Sequence, residues 1–400
     1  MGFPVLTLNT GENEPLSGWA LQQSTVLVVT TNPDYVSARR TKAAFLAKTW
    51  PASDPVGFGA VLVPAGAPTP DTPPANALRI SGKLGYLCDG DVIRISPEGR
   101  VSVLFRRNAS FNAFLLTERC NSFCVMCSQP PRDVDDGFRV DDLLQAIPMI
   151  EGAREICLTG GEPALLGDRF FSLVNALKAY LPRTSVHVLS NGRLFRSLDL
   201  AVRLAGCRHP DLMIGIPLYS DISSIHDFVV QADGAYDETI QGVLNLKRCN
   251  VRVELRVVIH KYTYERLPQL ARFISRNLQF VDQVALMGLE ATGFGKTNFN
   301  DLWIEPADYS SQLMGAVDEF IRSAVRVKVY NHQLCTLHPQ VRPYAVQSIS
   351  DWKREYLDVC GECDVRGECG GFFGTSEGRR SVRIQPIRLQ SDSRPLALAQ

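Results

Sequence analysis

From Phe111 to about Ala324, short apolar runs of strand length alternate with longer segments whose apolar residues recur every three or four positions. The runs Asn112 to Thr117, Glu155 to Thr159, Ser185 to Ser190, Asp211 to Leu218, Arg252 to His260 and Gln283 to Gly288 predict strands. The segments Val140 to Ile150, Arg169 to Leu181, Ser197 to Leu204, Tyr236 to Lys247, Tyr264 to Asn277 and Pro306 to Ala324 predict helices. Parallel strands need crossovers of this length, so six βα units imply an α/β fold, a partial (β/α)6 TIM-like barrel over residues 109–325. Chemistry in such folds sits at the C-terminal ends of the strands.

The flanks read differently. Thr25 to Thr30 and Gly59 to Val63 are short apolar strings, and a proline-rich stretch over 64–75 reads as an exposed loop. Two β-rich runs around Pro97-Glu98-Gly99, within 90–106, predict a hairpin. Residues 1–108 are therefore expected to form a small, mainly-β N-terminal domain. Beyond Tyr330 the alternation stops, and 326–375 reads as a C-terminal cysteine-rich domain. Residues 376–400 carry five arginines and few large apolar groups, and read as a loose basic tail.

The chain has 400 residues, enough for more than one domain, with 42 Lys plus Arg against 42 Asp plus Glu. No charge excess directs it to nucleic acid or an acidic membrane surface. With neither a signal-peptide pattern nor an apolar run of spanning length, the expectation is a cytoplasmic protein with no nucleic-acid or membrane partner. Eleven cysteines in that setting favour metal ligation over disulfides.

Cys120, Cys124 and Cys127 make a CxxxCxxC loop directly after the first barrel strand. Three thiolates on a cubane [4Fe-4S] cluster leave one iron open to a further ligand. S-adenosylmethionine (SAM) can chelate that iron through its amino and carboxylate groups. Zinc, or three reduced structural cysteines, is the alternative, although no fourth zinc ligand lies in the loop.

This loop resembles the radical SAM superfamily, and so does Gly160-Gly161-Glu162-Pro163 at the end of the second strand. The resemblance implies reductive cleavage of SAM to a 5'-deoxyadenosyl radical. It also implies that Gly160, Gly161, Glu162 and Pro163 hold the methionyl amine, with Glu162 accepting from the ammonium. Ser190 and Asn191 resemble the ribose-contacting position, and Met126 stands where many members place an aromatic residue beside the adenine. Arg256, on the fifth strand, either meets the cofactor carboxylate or pairs with a neighbouring acid. Glu290, after the sixth strand, is either a contact in the active site or a structural carboxylate at the rim. Cys88, Cys157, Cys207 and Cys249 read as ordinary buried thiols.

Cys335, Cys360, Cys363 and Cys369 would ligate one further centre, either zinc or an auxiliary [4Fe-4S] cluster. Their arrangement resembles the twitch/SPASM-like auxiliary domain of radical SAM peptide-modifying enzymes. The stretch through His226, Asp227, Gly234 and Tyr236 resembles the same branch, a helix cap being the plainer role for His226 and Asp227. The longer strings LTERCNSFCVMCSQPPR, MGLEATG and YNHQLC with CGECDVRGECGGFF are similar to the C-type radical SAM maturase of the His-Xaa-Ser peptide system. That likeness implies a ribosomally synthesised peptide substrate, a companion radical SAM maturase and an electron donor protein. A radical SAM activase of a folded protein and a non-catalytic, zinc-stabilised binding module are the competing readings.

Overall fold

The computed structural model describes residues 13–47, 55–68, 71–73, 76–347, 354–376 and 378–389. Its strands form two seven-stranded sheets. The first holds β1 (Glu14–Pro15), β2 (Thr25–Thr30), β3 (Ala43–Leu46), β4 (Ala60–Val63), β5 (Ala77–Arg79), β6 (Val92–Ile95) and β7 (Val101–Phe105), in the order β1-β5-β4-β3-β2-β6-β7. The hairpin lies where the sequence predicts it: β6 and β7 pair antiparallel, and Gly99 takes φ +77° in the turn. β2 through β5 run parallel to one another, an arrangement their brevity hid. The described part of the proline-rich stretch is turn and bend, and its remainder lies outside the described residues.

The second sheet is built from β8 (Asn112–Thr117), β9 (Glu155–Gly160), β10 (Ser185–Leu189), β11 (Leu212–Pro217), β12 (Arg252–Ile259), β13 (Gln283–Gly288) and β14 (Val327–Tyr330). Every neighbouring pair is parallel and the order is sequential, from β8 at one edge to β14 at the other. The connections carry α1 (Phe138–Ala146), α2 (Asp168–Tyr180), α3 (Leu198–Cys207), α4 (Ser223–Val230), α5 (Ala235–Arg248), α6 (Leu267–Asn277), α7 (Gly293–Thr297), α8 (Phe299–Leu302) and α9 (Ser310–Arg322). All six predicted strands are present. The seventh, β14, was assigned by sequence to the cysteine-rich domain, because four residues of VKVY carry too little periodicity to register. No described helix is long and apolar enough to cross a membrane.

β12 explains how the sheet is covered. Val253, Leu255, Val257 and Ile259 are almost fully buried toward the helices, in one core with Leu246, Leu270 and Ile274. Strand alternation turns Glu254, Arg256 and Val258 to the other face. That face curls into a trough. β9 and β14 are five strands apart, about 24 Å on a flat sheet at normal strand spacing, yet the charge of Lys328 on β14 acts on Glu155 of β9.

The trough is polar at its centre. The Glu254 carboxylate, 2% exposed, pairs with Arg256 Nη1 at 2.7 Å, accepts from Gln283 Nε2, and lies 3.6 Å from His187 Nε2. Only glycine fits beside this group at position 215, because a Cβ there would sit 2.8 Å from His187 Nε2 and 2.9 Å from Arg256 Cδ. The first sheet packs onto the outside of the second: Val26, Val92 and Phe105 join the same core as Val140 and Leu143, and Arg94 pairs with Asp142 at 2.9 Å.

Candidate functional site

The loop from Glu118 to Gln129 leaves the C-terminal end of β8 and carries Cys120, Cys124 and Cys127. Each of its turns is fastened from a distant part of the chain. Phe123 N–H and Val125 N–H donate to the Val230 and Val229 carbonyls at the end of α4, at 3.0 and 2.9 Å. Arg193 donates to the Asn121 carbonyl and to Ser122 Oγ, while Glu238 holds the guanidinium by Nε at 2.6 Å. On the far side, Phe294 N–H donates to the Cys127 carbonyl at 2.8 Å and Asn298 Nδ2 to the Val125 carbonyl at 2.8 Å.

The paired glycines serve this loop. A Cβ on Gly161 would stand 2.0 Å from the Arg119 carbonyl oxygen and 3.1 Å from Cys120 Cβ; one on Gly160, at φ +146°, would stand 2.2 Å from the Thr117 oxygen. Their absence lets Gly161 N–H reach the Thr117 carbonyl and Glu162 N–H the Arg119 carbonyl, both at 2.8 Å. Gly293, at φ +49°, works the same way against the carbonyls of Cys127 and Ser128, each 2.5 Å from its missing Cβ.

Glu162 has structural partners of its own within the chain. It is fully buried, and it accepts from Ser190 Oγ at 2.8 Å, Asn191 N–H at 2.6 Å and Ala164 N–H at 2.9 Å. Burial raises its pKa, and those donors offset part of the rise. The carboxylate thus ties the end of β10 to the turn after β9, whose first residue is the buried Pro163. Asn191 faces the cysteine loop: its Nδ2 donates to Asn121 Oδ1 and lies 3.8 Å from Cys120 Sγ. Met126 is packed in an apolar cluster with Tyr219, Val229, Leu289 and Leu302. For Arg256 the structure gives the acid-paired alternative, with Nη2 also 3.3 Å from Met287 Sδ.

His226 and Asp227 lie on α4, a helix the sequence reading took for cap and loop. Asp227 does act as a cap, its carboxylate accepting from Gly234 N–H and Tyr236 N–H ahead of and within the first turn of α5. His226 is buried and accepts from Tyr219 N–H. Glu290 is half-buried just beyond β13. Of the remaining thiols, Cys207 is buried as expected, whereas Cys88 lies half-buried against Asp91 and Asn108, at 3.3 Å from each. Cys157 faces the trough near Arg256 and Glu254, and burial pushes its thiol up to about 12.

Burial raises the pKa of all three loop thiols, that of Cys120 to about 11 with the charge of Glu162 adding to it. Each thiolate also opposes another, since Cys120 and Cys127 both act on Cys124. Three soft donors crowded in a dry pocket stay neutral alone and become thiolates when a cationic centre binds, since a coordinating metal deprotonates a thiol outright. The donor set therefore suits a thiophilic centre.

The second set is also brought together. Cys335, Cys360, Cys363 and Cys369 line one small pocket with Leu334, Tyr356 and Phe372. It lies beyond the C-terminal end of β14, and backbone amides point at its sulfurs: Leu334 and Gly371 N–H at Cys369, Gln385 N–H at Cys335, and Ile387 N–H at Cys363 at 3.4 Å. The tail is therefore not loose where it is described. Asp364 N–H donates to the Ile387 carbonyl at 3.0 Å, Leu389 N–H to Asp364 Oδ2 at 2.7 Å, and Arg388 pairs with Glu362 at 2.6 Å. Among the described residues, no group of three or more His, Cys, Asp or Glu side chains is placed to hold a single metal ion.

Sequence reasoning missed Arg193, Gly293, Asn298 and the tail contacts. Gly293-Phe-Gly295 was the faint signal for two of them.

A parallel α/β sheet with a three-thiol loop at the C-terminal end of its first strand is the architecture of a thiolate-centred α/β enzyme. Residues 114–274 match the model of the radical SAM superfamily. The chain is 27% identical over 188 residues to pre-heme d1 synthase of Dinoroseobacter shibae, covering 46% of this chain and 44% of that protein. It is 24% identical over 276 residues to a probable GTP 3',8-cyclase of Sulfurisphaera tokodaii, covering 67% of this chain and 81% of the other. The solved structure of Streptococcus suis SuiB bound to S-adenosylmethionine shares the fold, with TM-score 0.52 and 14% identity over 71% of this chain and 77% of that one. The chain thus spans less than half the length of the synthase. Over residues 114–274 the chain is similar to enzymes of the radical SAM superfamily.

Proposed function

We propose that the protein is a radical SAM peptide maturase, acting on a ribosomally made peptide of the His-Xaa-Ser repeat type by hydrogen abstraction. The observation that carries this reading is the pair of sulfur sites beyond the C-terminal ends of β8 and β14, the two edge strands of one curled sheet. A [4Fe-4S] cluster on Cys120, Cys124 and Cys127, when bound with SAM, supplies the electron that yields the 5'-deoxyadenosyl radical. The chain's own residues fix where that happens. Arg193, Phe294 and Asn298 hold the loop backbone, the Gly160-Gly161 turn presses it onto β8, and Asn191 presents an amide to Cys120.

An auxiliary cluster on Cys335, Cys360, Cys363 and Cys369 fits the second pocket. Four thiols would also satisfy zinc by count; the companion cysteine loop at the other edge of the sheet is what favours a cluster here. Its task is to pass electrons or to hold substrate near the radical, with the partial barrel's trough as the reaction chamber. The relatives' names support a second reading, a small-molecule substrate.

The test is co-expression with a repeat-bearing peptide and a companion maturase, followed by mass measurement of the peptide. A mass shift that disappears when Cys120, Cys124 and Cys127 are replaced by Ala is expected. Anaerobically reconstituted protein that forms no 5'-deoxyadenosine with peptide present removes the proposal. Formation triggered by GTP and not by peptide moves the assignment to the second reading.

A further inference from the structure

The last described segment, residues 381–389, has no part in the sheet and no helix, yet it is anchored at both ends and in the middle. Ser381 Oγ donates to the Glu305 carboxylate and Val382 N–H approaches it at 3.3 Å, while Arg383 pairs with Asp308 at 3.1 Å. Beyond the pocket, Arg388 and Leu389 N–H grip Glu362 and Asp364. Between these anchors, Ile384, Gln385 and Pro386 form part of the pocket wall. Apolar side chains help to seat the segment, since Ile387 packs against the main core and Ile384 and Pro386 line the pocket. What it brings is one amide hydrogen bond, Ile387 N–H to Cys363 Sγ at 3.4 Å, and beside it the Gln385 amide, which favours the charged form of Cys335. Pro386 stands between the two amides and stiffens the backbone that presents them.

We infer that residues 381–389 are a built part of the second sulfur site, a strap that closes the pocket and sets the reduction potential of the cluster within it through N–H···S bonds. The inference rests on the proposal that this pocket holds an iron-sulfur cluster. Reduction adds negative charge to a cluster and its thiolates, so donors aimed at the sulfurs favour the reduced state and raise the potential. Closing the pocket limits attack by water, chelator and oxygen. Gln385 and Ile387 are positioning residues: they act through the ligand sulfurs.

The experiment uses the full chain with Cys120, Cys124 and Cys127 replaced by Ala, reconstituted anaerobically, so that only the second site gives a signal. Ile387→Pro deletes one donor and leaves the strap; Ile387→Ala keeps the donor and serves as its control. One shortened chain ends at Arg380 and another at Leu389. Iron and sulfide content, the EPR-monitored midpoint potential and the rate of iron loss to a chelator are measured. The expected result is a lower midpoint potential for Ile387→Pro at unchanged iron content, with Ile387→Ala matching the parent. Iron loss should be at least several-fold faster for the chain ending at Arg380, and unchanged for the one ending at Leu389. Full iron in every chain with the same potential and the same loss rate overturns the strap's role while leaving the cluster reading intact. An intact parent that takes up no iron and sulfide overturns the cluster reading and the strap's role with it.

Discussion

Replacing Glu162 separates two physical roles that look alike in sequence. If its carboxylate ties the end of β10 to the turn after β9, its removal damages the protein before any cofactor is added. Glu162→Ala leaves three donors without an acceptor: Ser190 Oγ, Asn191 N–H and Ala164 N–H. A buried donor stripped of its partner costs about 1–3 kcal/mol, so the variant loses roughly 3–9 kcal/mol. That is comparable with the whole stability of an ordinary domain, about 5–15 kcal/mol. Glu162→Gln keeps the shape and one oxygen, which can serve Ser190 and Ala164, but sets an amide against Asn191 N–H; its loss is that of one donor, about 1–3 kcal/mol. Urea unfolding of the iron-free chain, without SAM, reads these values directly. The expected order is parent, then Gln, then Ala. Parent-like unfolding for both variants, combined with weakened SAM binding after reconstitution, refutes the tie and returns Glu162 to the cofactor.

Further outcomes follow from the loop's fastenings and the buried histidines. Gly293→Ala places a methyl against two backbone carbonyls at a positive φ, and we expect about 1–3 kcal/mol of destabilisation with iron loss confined to the first site; full iron retention in EPR and chemical assay contradicts this. Arg193→Met removes the bonds to Asn121 and Ser122, and reconstitution should leave substoichiometric first-site iron while Cys335, Cys360, Cys363 and Cys369 keep theirs. His187, His226 and His332 are held by burial at pKa values of about 4 and His260 at about 3, against an ordinary 6.5. The unfolded chain binds protons that these neutral rings refuse. Stability contributed by their neutral state is present above pH 6.5 and is lost as pH falls toward 4, so the urea midpoint of the iron-free chain should drop across that window. A flat profile from pH 7 to 5 excludes it.

What could be read from the sequence was local. The strands of the second sheet announced themselves because one side of each is continuously apolar, as in β12, and the first cysteine set because its spacing is short. β14 was lost because four residues carry no period. α4 was lost because Ile222 and Ser223 follow a bend and its apolar face is only two turns long. Arg193 and Asn298 lie 72 and 173 residues from the backbone they grip, and no pattern along the chain marks such a pairing. Glu162 shows a subtler limit: its place in the motif was legible, and its hydrogen bonds to Ser190, Asn191 and Ala164 were not. The tail's composition suggested disorder, since its five arginines mask the few apolar side chains, Ile387 among them, that seat it together with amides and ion pairs.

The fastening of the first cysteine loop by Phe294 and Asn298 also sets an order in time. A ribosome adding about 5–20 residues per second needs roughly ten to thirty seconds to travel from Cys127 to Asn298. During that interval the three thiols are already outside the exit tunnel, without the segment that clamps them. A cluster delivered then would meet an open loop, so the assembly of the first centre belongs after β13 and its following turn have been made, and the thiols need protection from oxidation until that moment.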